Sequence, residues 1–286
     1  MKRTNGRGVV LAVALALVLT GAAGCTSSES PREPGKDRGA STGSRAALLS
    51  AERSTDHAAS ARVRSTTVMG TQLSLKADGA IGWGDSLTGT LTITYTGGPT
   101  AETMRALGIT SMQARYLADA YYARMGDTFA RKTGGKHWIK YAYDDLKDLA
   151  GGAGATFADQ MRNTAPNQSV RLLLDAEEVR EVGREKVGGR TATHYSGTVL
   201  VPDVTDARLR TQLEQADVTS ETVDLWVDDR DLLVKKVEKG RTASGELTQT
   251  AYYTDYGVAV SVAEPPADDT QDFAELLERQ QGGSAS

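Results

Sequence analysis

The stretch that governs the fold is Leu87–Thr96, which reads LTGTLTITYT. Apolar or small residues alternate with five threonines along it. Because successive side chains of a β-strand point to opposite faces, this alternation predicts a strand with one apolar face and one hydroxyl-lined face. Such a strand is typical of an antiparallel sheet with one buried and one solvated side.

Similar alternation recurs on both sides of this stretch. The further predicted strands are Thr66–Lys76, Ala80–Asp85, Met112–Tyr122, Lys136–Tyr143, Arg190–Val201, Thr222–Asp228, Leu232–Lys239 and Leu247–Tyr256. Short polar turns between them favour hairpins in an up-and-down sheet. Helical spacing is confined to the tail and to Arg45–Ser60, Asp144–Leu149, Thr156–Asn163, Gln168–Asp175 and Asp206–Asp217. The sequence therefore predicts an α+β fold, with a large curved antiparallel sheet whose concave face is covered by helices.

The composition restricts the chemistry of the protein. Its 286 residues include one cysteine, Cys25, and three histidines. A lone cysteine excludes an intrachain disulfide and cysteine-rich zinc sites. Three histidines provide few ligands for a multi-histidine metal centre. We therefore expect neither a metal nor another cofactor.

The histidines do not form a catalytic constellation in the sequence. His194 and Tyr195 are adjacent in a predicted strand, so their side chains face apart. His137 lies in another predicted strand and His57 on the first predicted helix. The glycine-rich Gly151–Gly154 lacks the lysine and the spacing of a phosphate-binding loop. We expect a protein that is not an enzyme.

The first 24 residues have the layout of a secretory signal peptide. Three basic residues precede an uncharged apolar run, Val9–Thr20, which is too short to span a bilayer. Small residues at Gly21–Gly24 then lead directly to Cys25. This order resembles a bacterial lipobox, in which the signal is removed before the cysteine and the thiol is acylated. The alternative is an ordinary signal peptide followed by an unrelated cysteine.

Acylation of Cys25 would anchor the mature chain to the extracytoplasmic face of the cell membrane, because two or three acyl chains bind a bilayer stably. Residues 25–44 then form the lipidated cysteine and a polar, flexible tether with an r.m.s. span of about 25 Å. Cleavage leaves 30 basic against 37 acidic residues, a net charge of −7, which disfavours nucleic acid as a partner. We expect one domain over residues 45–266, followed by a short helix and a disordered tail over 267–286.

Apolar strand residues are the remaining candidates for function. The candidates for lining a cavity are Leu87, Leu91, Ile93, Val199, Val223, Leu225 and Val227. We assign Val201, Leu233 and Val237 to the same face. These residues either pack against the helices and fill the core, or partly line a cavity for acyl chains beneath a helical lid.

Three motifs follow the lipobox in a fixed order. They are GKHWIK at Gly135–Lys140, VGREKVGGR at Val182–Arg190 leading to THY at Thr193–Tyr195, and DLWVD at Asp224–Asp228. This order resembles the LolA-like superfamily of exported lipid-handling lipoproteins, in particular its actinobacterial LppX/LprG branch. The resemblance covers about Ser44 to Pro265.

The resemblance implies an incomplete β-barrel closed by helices around a hydrophobic cavity. Such proteins bind lipids or lipoprotein acyl chains and move them across the envelope, and the resemblance supplies no catalytic residue. It implies that Trp138 and Trp226 fill the sheet and that His194 is hydrogen-bonded. The alternative function is a protein-interaction or envelope-stress sensing module with the same fold. The sequence identifies neither the lipid nor a protein partner.

Overall fold

A twelve-stranded sheet forms the body of the molecule in a computed structural model that describes residues 37–131, 134–148, 165–242 and 245–282. The predicted signal peptide, Cys25 and the predicted helix Thr156–Asn163 lie outside the described residues. The strands are β1 Ser60–Met69, β2 Leu73–Gly82, β3 Thr88–Gly97, β4 Ser111–Tyr116, β5 Ala120–Arg124, β6 Trp138–Ala142, β7 Arg180–Val187, β8 Arg190–Leu200, β9 Ser220–Asp228, β10 Leu233–Thr242, β11 Gly245–Thr254 and β12 Thr270–Asp272.

The strand order is β12-β6-β5-β4-β3-β2-β1-β11-β10-β9-β8-β7. Neighbouring strands are antiparallel except β12, which pairs in parallel with β6. The sheet is thus two meanders, β1–β6 and β7–β11, that are joined where β1 pairs with β11. The predicted up-and-down sheet is confirmed, and it does not close into a barrel.

Seven α-helices occur in the described residues. They are α1 Asp37–Ala58, α2 Pro99–Ala106, α3 Asp127–Ala130, α4 Tyr143–Asp148, α5 Pro166–Leu174, α6 Ala207–Gln215 and α7 Phe273–Gly282. Helices α1 and α5 pack against each other, α5 contacts β8, β9 and β10, and α1 contacts β7. We call the sheet face that these two helices cover the inner face, and the opposite face the outer face.

The alternation in Leu87–Thr96 sorts its side chains between these faces as predicted. Leu91 is buried in the main apolar core, and Ile93 packs against that core. Thr92 and Thr94 are exposed on the outer face. The period of two therefore determines which side of β3 faces the helices.

Two predicted strands are each split by a turn. Thr66–Lys76 contains the end of β1, a turn at Gly70–Gln72 and the start of β2, with Gly70 at φ 50°. Met112–Tyr122 contains β4 and β5, which are joined by a turn that the Leu117 N–H closes on the Ala120 carbonyl. Alternation continues through both turns, so it does not reveal them.

Secondary structure is also present on both sides of residues 45–266. Helix α1 begins at Asp37, inside the segment predicted to be a flexible tether, and Ser44 on this helix is buried. After residue 266, β12 extends the sheet and Phe273 of α7 packs against the core. The described residues all fall in one compact unit. Over these residues, none of the helices is both long and apolar enough to cross a bilayer.

Strand β7 forms one edge of the sheet and pairs with β8. Its exposed side chains are mainly charged: Arg180, Glu181, Arg184, Glu185 and Lys186. The exposed Val182 is the one large apolar side chain among them.

Close approach of β2 and β3 depends on Gly79. A Cβ at this position would lie 2.0 Å from the Thr90 carbonyl oxygen, so the backbone of β3 would have to move. We predict that Gly79→Ala lowers the free energy of unfolding by about 2 kcal/mol or more, because overpacking of this kind strains the core. Chemical denaturation measures the change.

Gly84 is the matched control for this prediction. It is exposed in the turn between β2 and β3, and a Cβ there would meet no atom within 4 Å. Gly84→Ala should change stability by less than about 0.5 kcal/mol. Equal effects of the two substitutions would contradict the role of Gly79.

Candidate functional site

Cross-strand pairing arranges the inner-face residues in rows that run across the sheet. The first row is Leu225, Lys236, Ala251, Ser65, Ala77, Ile93 and Met112. The second row is Val223, Glu238, Gln249, Thr67, Leu75 and Tyr95. The third row is Glu221, Gly240, Leu247, Met69 and Leu73. Each row thus links the part of the sheet under α5 to the part formed by β1–β3.

Most of the residues predicted to line a cavity are buried in the main core. Of the seven, all except Ile93 are buried, and Ile93 packs against the others. A cleft of about 220 Å³ lies between α5 and the start of α6, where Leu172 and Leu209 contribute to its wall. None of the seven residues lines this cleft. Their role as cavity-lining residues therefore stays a prediction.

Apolar side chains remain half-buried where the three rows cross β1–β4 and β11. We call these residues the inner apolar strip: Met69, Leu73, Leu75, Ile93, Tyr95, Met112 and Leu247. The Tyr95 hydroxyl lies 3.6 Å from the Met112 sulfur, so even the polar atom of Tyr95 has a soft, weakly polar neighbour. The strip offers a continuous apolar surface that the core does not fully bury.

Aromatic rings pack on the inner face beyond this strip. The ring centroids of Tyr116 and Tyr121 are 5.1 Å apart, those of Tyr121 and Tyr141 are 5.7 Å apart, and Phe273 of α7 lies 4.7 Å from Tyr141. Burial raises the pKa of Tyr141 to about 12 and raises the pKa of Tyr116 and Tyr121 as well. These hydroxyls stay neutral at physiological pH, which suits an apolar surrounding.

A charged cluster occupies the other end of the rows, beneath α5. The Lys236 ammonium lies 2.7 Å from a Glu238 carboxylate oxygen and donates a hydrogen bond to the Ser169 hydroxyl at 3.0 Å. The Lys236 and Glu238 side chains are each 12% exposed. Glu221 lies beside this pair and is 8% exposed. We call Glu221, Lys236 and Glu238 the inner charged cluster.

The pKa of Glu221 is raised, which favours the neutral form of its carboxyl. Burial, and then the negative charge of Glu238, raise the pKa of Glu221 from 4.5 to about 8, against an opposing effect of Lys236. A buried carboxyl group takes up a proton when no sufficient positive charge compensates it. Burial and the Glu238 charge thus both favour protonation of Glu221 within the cluster.

A β-bulge in β10 turns two of these charged residues inward. Leu233 pairs with Val227, but the next paired residue, Lys235, lies opposite Trp226, so the register shifts between them. An extra residue in one strand exchanges the faces of all the residues that follow it. Val237 consequently packs on the outer face, and its predicted inward position is wrong.

The outer face carries the polar and aromatic residues of the motifs. His194 Nε2 lies 2.8 Å from an Asp224 carboxylate oxygen, and its ring stacks on Trp226 at 4.1 Å. The Lys235 ammonium sits 3.6 Å from the centroid of the Trp226 ring on β9. The expected hydrogen bonding of His194 is thus observed, and Tyr195 points to the core on the opposite face.

The described residues do not bring a catalytic group together. His137 Nδ1 is 2.6 Å from an Asp269 carboxylate oxygen. This contact links the start of β6 to the turn before β12. A GASTG sequence at Gly39–Gly43 matches the G-x-S-x-G pattern of a nucleophile elbow, but it lies within α1 rather than on a strand-to-helix turn. No group of three or more potential metal ligands occurs among the residues that the structure describes.

Sequence reasoning missed the inner charged cluster. Lys235 and Lys236 are adjacent in the sequence, and the bulge sends Lys235 outward and Lys236 inward. The available signal was the K-x-E spacing of Lys236 and Glu238 in a strand, because residues two apart share a face. The sequence signal for Glu221 was weaker: it shares the alternation of the apolar residues Val223, Leu225 and Val227 that follow it in the strand.

Two solved structures share this architecture. LprF from Mycobacterium bovis superposes with a TM-score of 0.51 and 13% identity, over 79% of this chain and 99% of its own. The lipoprotein LppX of Mycobacterium tuberculosis gives 0.50 and 15%, over 78% of this chain and 99% of its own. The fold is thus the open sheet with inner helices of LppX and LprF, as predicted.

Full-length relatives occur in two Streptomyces species, although no protein-family model matches the sequence. A Streptomyces coelicolor protein, provisionally named a lipoprotein, is 56% identical over 98% of this chain and 99% of its own length. An uncharacterized 31.2 kDa protein from the rplA-rplJ intergenic region of Streptomyces griseus is 48% identical over 84% of this chain and 81% of its own. The chain belongs to the family of these Streptomyces proteins.

The raised pKa of Glu221 leads to a prediction about pH. The folded state holds this proton up to about pH 8, whereas the unfolded chain releases it near 4.5, so unfolding releases a proton between these values. The stabilising effect of the proton is complete below about pH 4.5 and is lost as the pH rises through 8. The free energy of unfolding of Glu221→Gln should increasingly exceed that of the wild type as the pH rises, by about 2 kcal/mol or more at pH 9. Thermal unfolding at several pH values measures this difference.

Glu246 supplies the control, because it is exposed on the neighbouring strand β11. Glu246→Gln should leave the pH dependence of stability unchanged. If the wild type and Glu221→Gln lost stability in parallel between pH 5 and 9, the raised pKa of Glu221 would be refuted.

Proposed function

We propose that this protein is an exported lipoprotein, anchored through acylated Cys25 to the extracytoplasmic face of the cell membrane, that binds an acyl lipid on its inner face. The observation that carries the proposal is the inner apolar strip, which is half-buried beside a fully packed core. Apolar surface of this kind is a default place for an apolar ligand. Binding without chemistry is sufficient for a carrier that moves lipids or lipoproteins across the envelope.

Independent observations support the anchor. The sequence around Cys25 has the lipobox layout, the Streptomyces coelicolor relative is named as a lipoprotein, and so is LppX, which shares the fold. Acyl chains on Cys25 would hold the domain close to a source of lipid. The anchor and the inner face then both contribute to lipid binding.

A protein-interaction module is the second candidate. The observation that favours it is that six of the seven predicted cavity residues are buried in the core, as expected for a domain without a cavity. In that case the sheet and helices form a rigid scaffold for an envelope partner. A purified domain without lipid, stabilised by such a partner, would support this function over lipid binding.

The anchor is tested by Cys25→Ser in an actinobacterial host. The native chain should be found in the membrane fraction, and its mass should include covalent acyl groups. The variant should lose these acyl groups and accumulate with its signal attached, because processing follows acylation of the cysteine. A processed, membrane-bound Cys25→Ser protein would contradict the lipobox assignment.

Ligand binding is tested by comparing native and denaturing mass spectra of the full-length protein extracted in mild detergent. Covalent acyl groups remain under denaturing conditions, so only a mass lost on denaturation reports a bound lipid. Leu75→Gln, on the inner apolar strip, should lower lipid occupancy about tenfold, because it places an amide where an acyl chain would lie.

Lys76 is the neighbouring residue on β2, exposed on the opposite face, and Lys76→Gln is the matched control. It should retain full lipid occupancy. Absence of bound lipid from the native protein, or equal occupancy in the two variants, would contradict binding on this face.

A further inference from the structure

The outer face of the sheet carries a surplus of basic side chains along its middle strands. We call the outward residues of β10, β11, β1, β2, β3 and β4 the outer basic face. Cross-strand pairing gives this face seven basic residues: Lys235, Lys239, Arg241, Arg62, Arg64, Lys76 and Arg115. Its acidic residues are Asp78 and Glu246, together with Asp255 directly after β11. The face thus has a net charge of +4, whereas the chain as a whole carries −4.

The acidic residues hold their basic neighbours only weakly. Arg62 Nε lies 3.4 Å from an Asp255 carboxylate oxygen, and Arg64 Nε lies 3.6 Å from an Asp78 carboxylate oxygen. The side chains of both pairs are at least 60% exposed. Because exposed ion pairs bind weakly in water, these guanidinium groups remain available to another anion.

Lys76 and Lys239 stand among threonines rather than acids. Across the strands Lys76 has Thr66 and Thr94 as neighbours, and Lys239 likewise lies between two threonines of β9 and β11. Both lysines are exposed, and neither takes part in an ion pair within the described part of the chain. An ammonium group beside hydroxyls offers several hydrogen-bond donors to a phosphate oxygen.

An exposed tyrosine lies in the middle of the outer basic face. Tyr252 on β11 is 41% exposed, and it stands between Lys235 on β10 and Arg64 on β1. The Lys235 ammonium lies 5.9 Å from the centroid of the Tyr252 ring. Tyrosine is enriched at the boundary between a bilayer and water, and basic residues attract anionic lipids there. The outer basic face combines both features.

The chain length before α1 restricts the distance between this face and the proposed anchor. Twelve residues, Cys25 to Lys36, precede Asp37, where α1 begins. A chain of this length reaches about 40 Å at most. Anchoring through Cys25 would therefore hold the domain at a high local concentration over the bilayer, so that a weak electrostatic attraction is sufficient for contact.

We propose that the outer basic face docks on an anionic lipid bilayer, with lipid phosphates against its lysines and arginines and Tyr252 at the level of the head groups. The inference rests on the proposed anchoring through Cys25, which supplies the proximity. Docking in this orientation directs the inner face and its helices away from the bilayer. Each basic residue near an anionic surface strengthens the attraction about fivefold, so the surplus of four charges is sufficient to orient an anchored domain.

The test is acetylation of lysines in the native, acylated protein reconstituted in vesicles. One set of vesicles contains phosphatidylcholine alone, and the other contains equal amounts of phosphatidylcholine and phosphatidylglycerol. Peptide mass spectrometry should show Lys76 and Lys239 reacting about fivefold more slowly in the anionic vesicles. The difference should vanish at about 1 M salt, where the Debye length falls to about 3 Å.

Lys186 is the internal control for this experiment. It is exposed on the edge strand β7 and shares its face of the sheet with Tyr195, which points to the core. Lys186 should react equally in the two kinds of vesicle.

Charge reversal assigns the protection to the face. In Lys76→Glu the protection of Lys239 should fall below about twofold, and in Lys239→Glu the protection of Lys76 should fall likewise, because each change removes two units of positive charge. Lys186→Glu is the matched variant, and it should leave the protection of both lysines unchanged.

The inference is overturned if Lys76 and Lys239 react equally in the two kinds of vesicle, or if Lys186 is protected as strongly as they are. The first result leaves the anchor without a docking face, and the second shows contact that is not specific to this face. Failure of the anchor is seen separately, as release of the protein from phosphatidylcholine vesicles on flotation. Protection of Lys76 and Lys239 by the anionic vesicles then still decides the inference.

Discussion

The pairing of β1 with β11 is the contact on which the rest of the structure depends. Eight residue pairs, from Arg62 with Thr254 to Met69 with Leu247, join two meanders that are otherwise separate in the chain. Without this pairing the inner face would be two smaller surfaces, and the rows from β10 to β3 would not exist. The pairing closes a long loop of chain, so its entropic cost must be offset by the core that it completes.

The β-bulge in β10 adds a second constraint by placing charge on the inner face. A strand without it would keep Val237 inward and Lys236 outward, which is the apolar core that alternation alone predicts. The observed register instead holds a Lys–Glu pair under α5, beside the Glu221 carboxyl, whose pKa is raised. Such an arrangement lowers stability relative to an apolar core.

The sequence was most informative where local patterns alone determine structure. Alternation located β3 and assigned its faces, and the opposite orientations of His194 and Tyr195 followed from their adjacency. It failed where a single residue changes the register, as at Val237, and where alternation runs through a turn, as at Gly70–Gln72. Glu221 could not be recognised as buried from sequence, because its burial depends on the long-range packing of α5 against β8–β10.

An open sheet has an exposed edge, and in this protein one edge is β7. Molecules tethered to a surface meet far more often than molecules in solution, so edge-to-edge pairing between copies would be a particular hazard under the proposed anchoring. The charged side chains along β7 alternate in sign and stand at the solvent boundary, where burial against another strand would strip their hydration. The edge strand thus opposes self-association between copies, and lets the sheet remain open without becoming a template for aggregation.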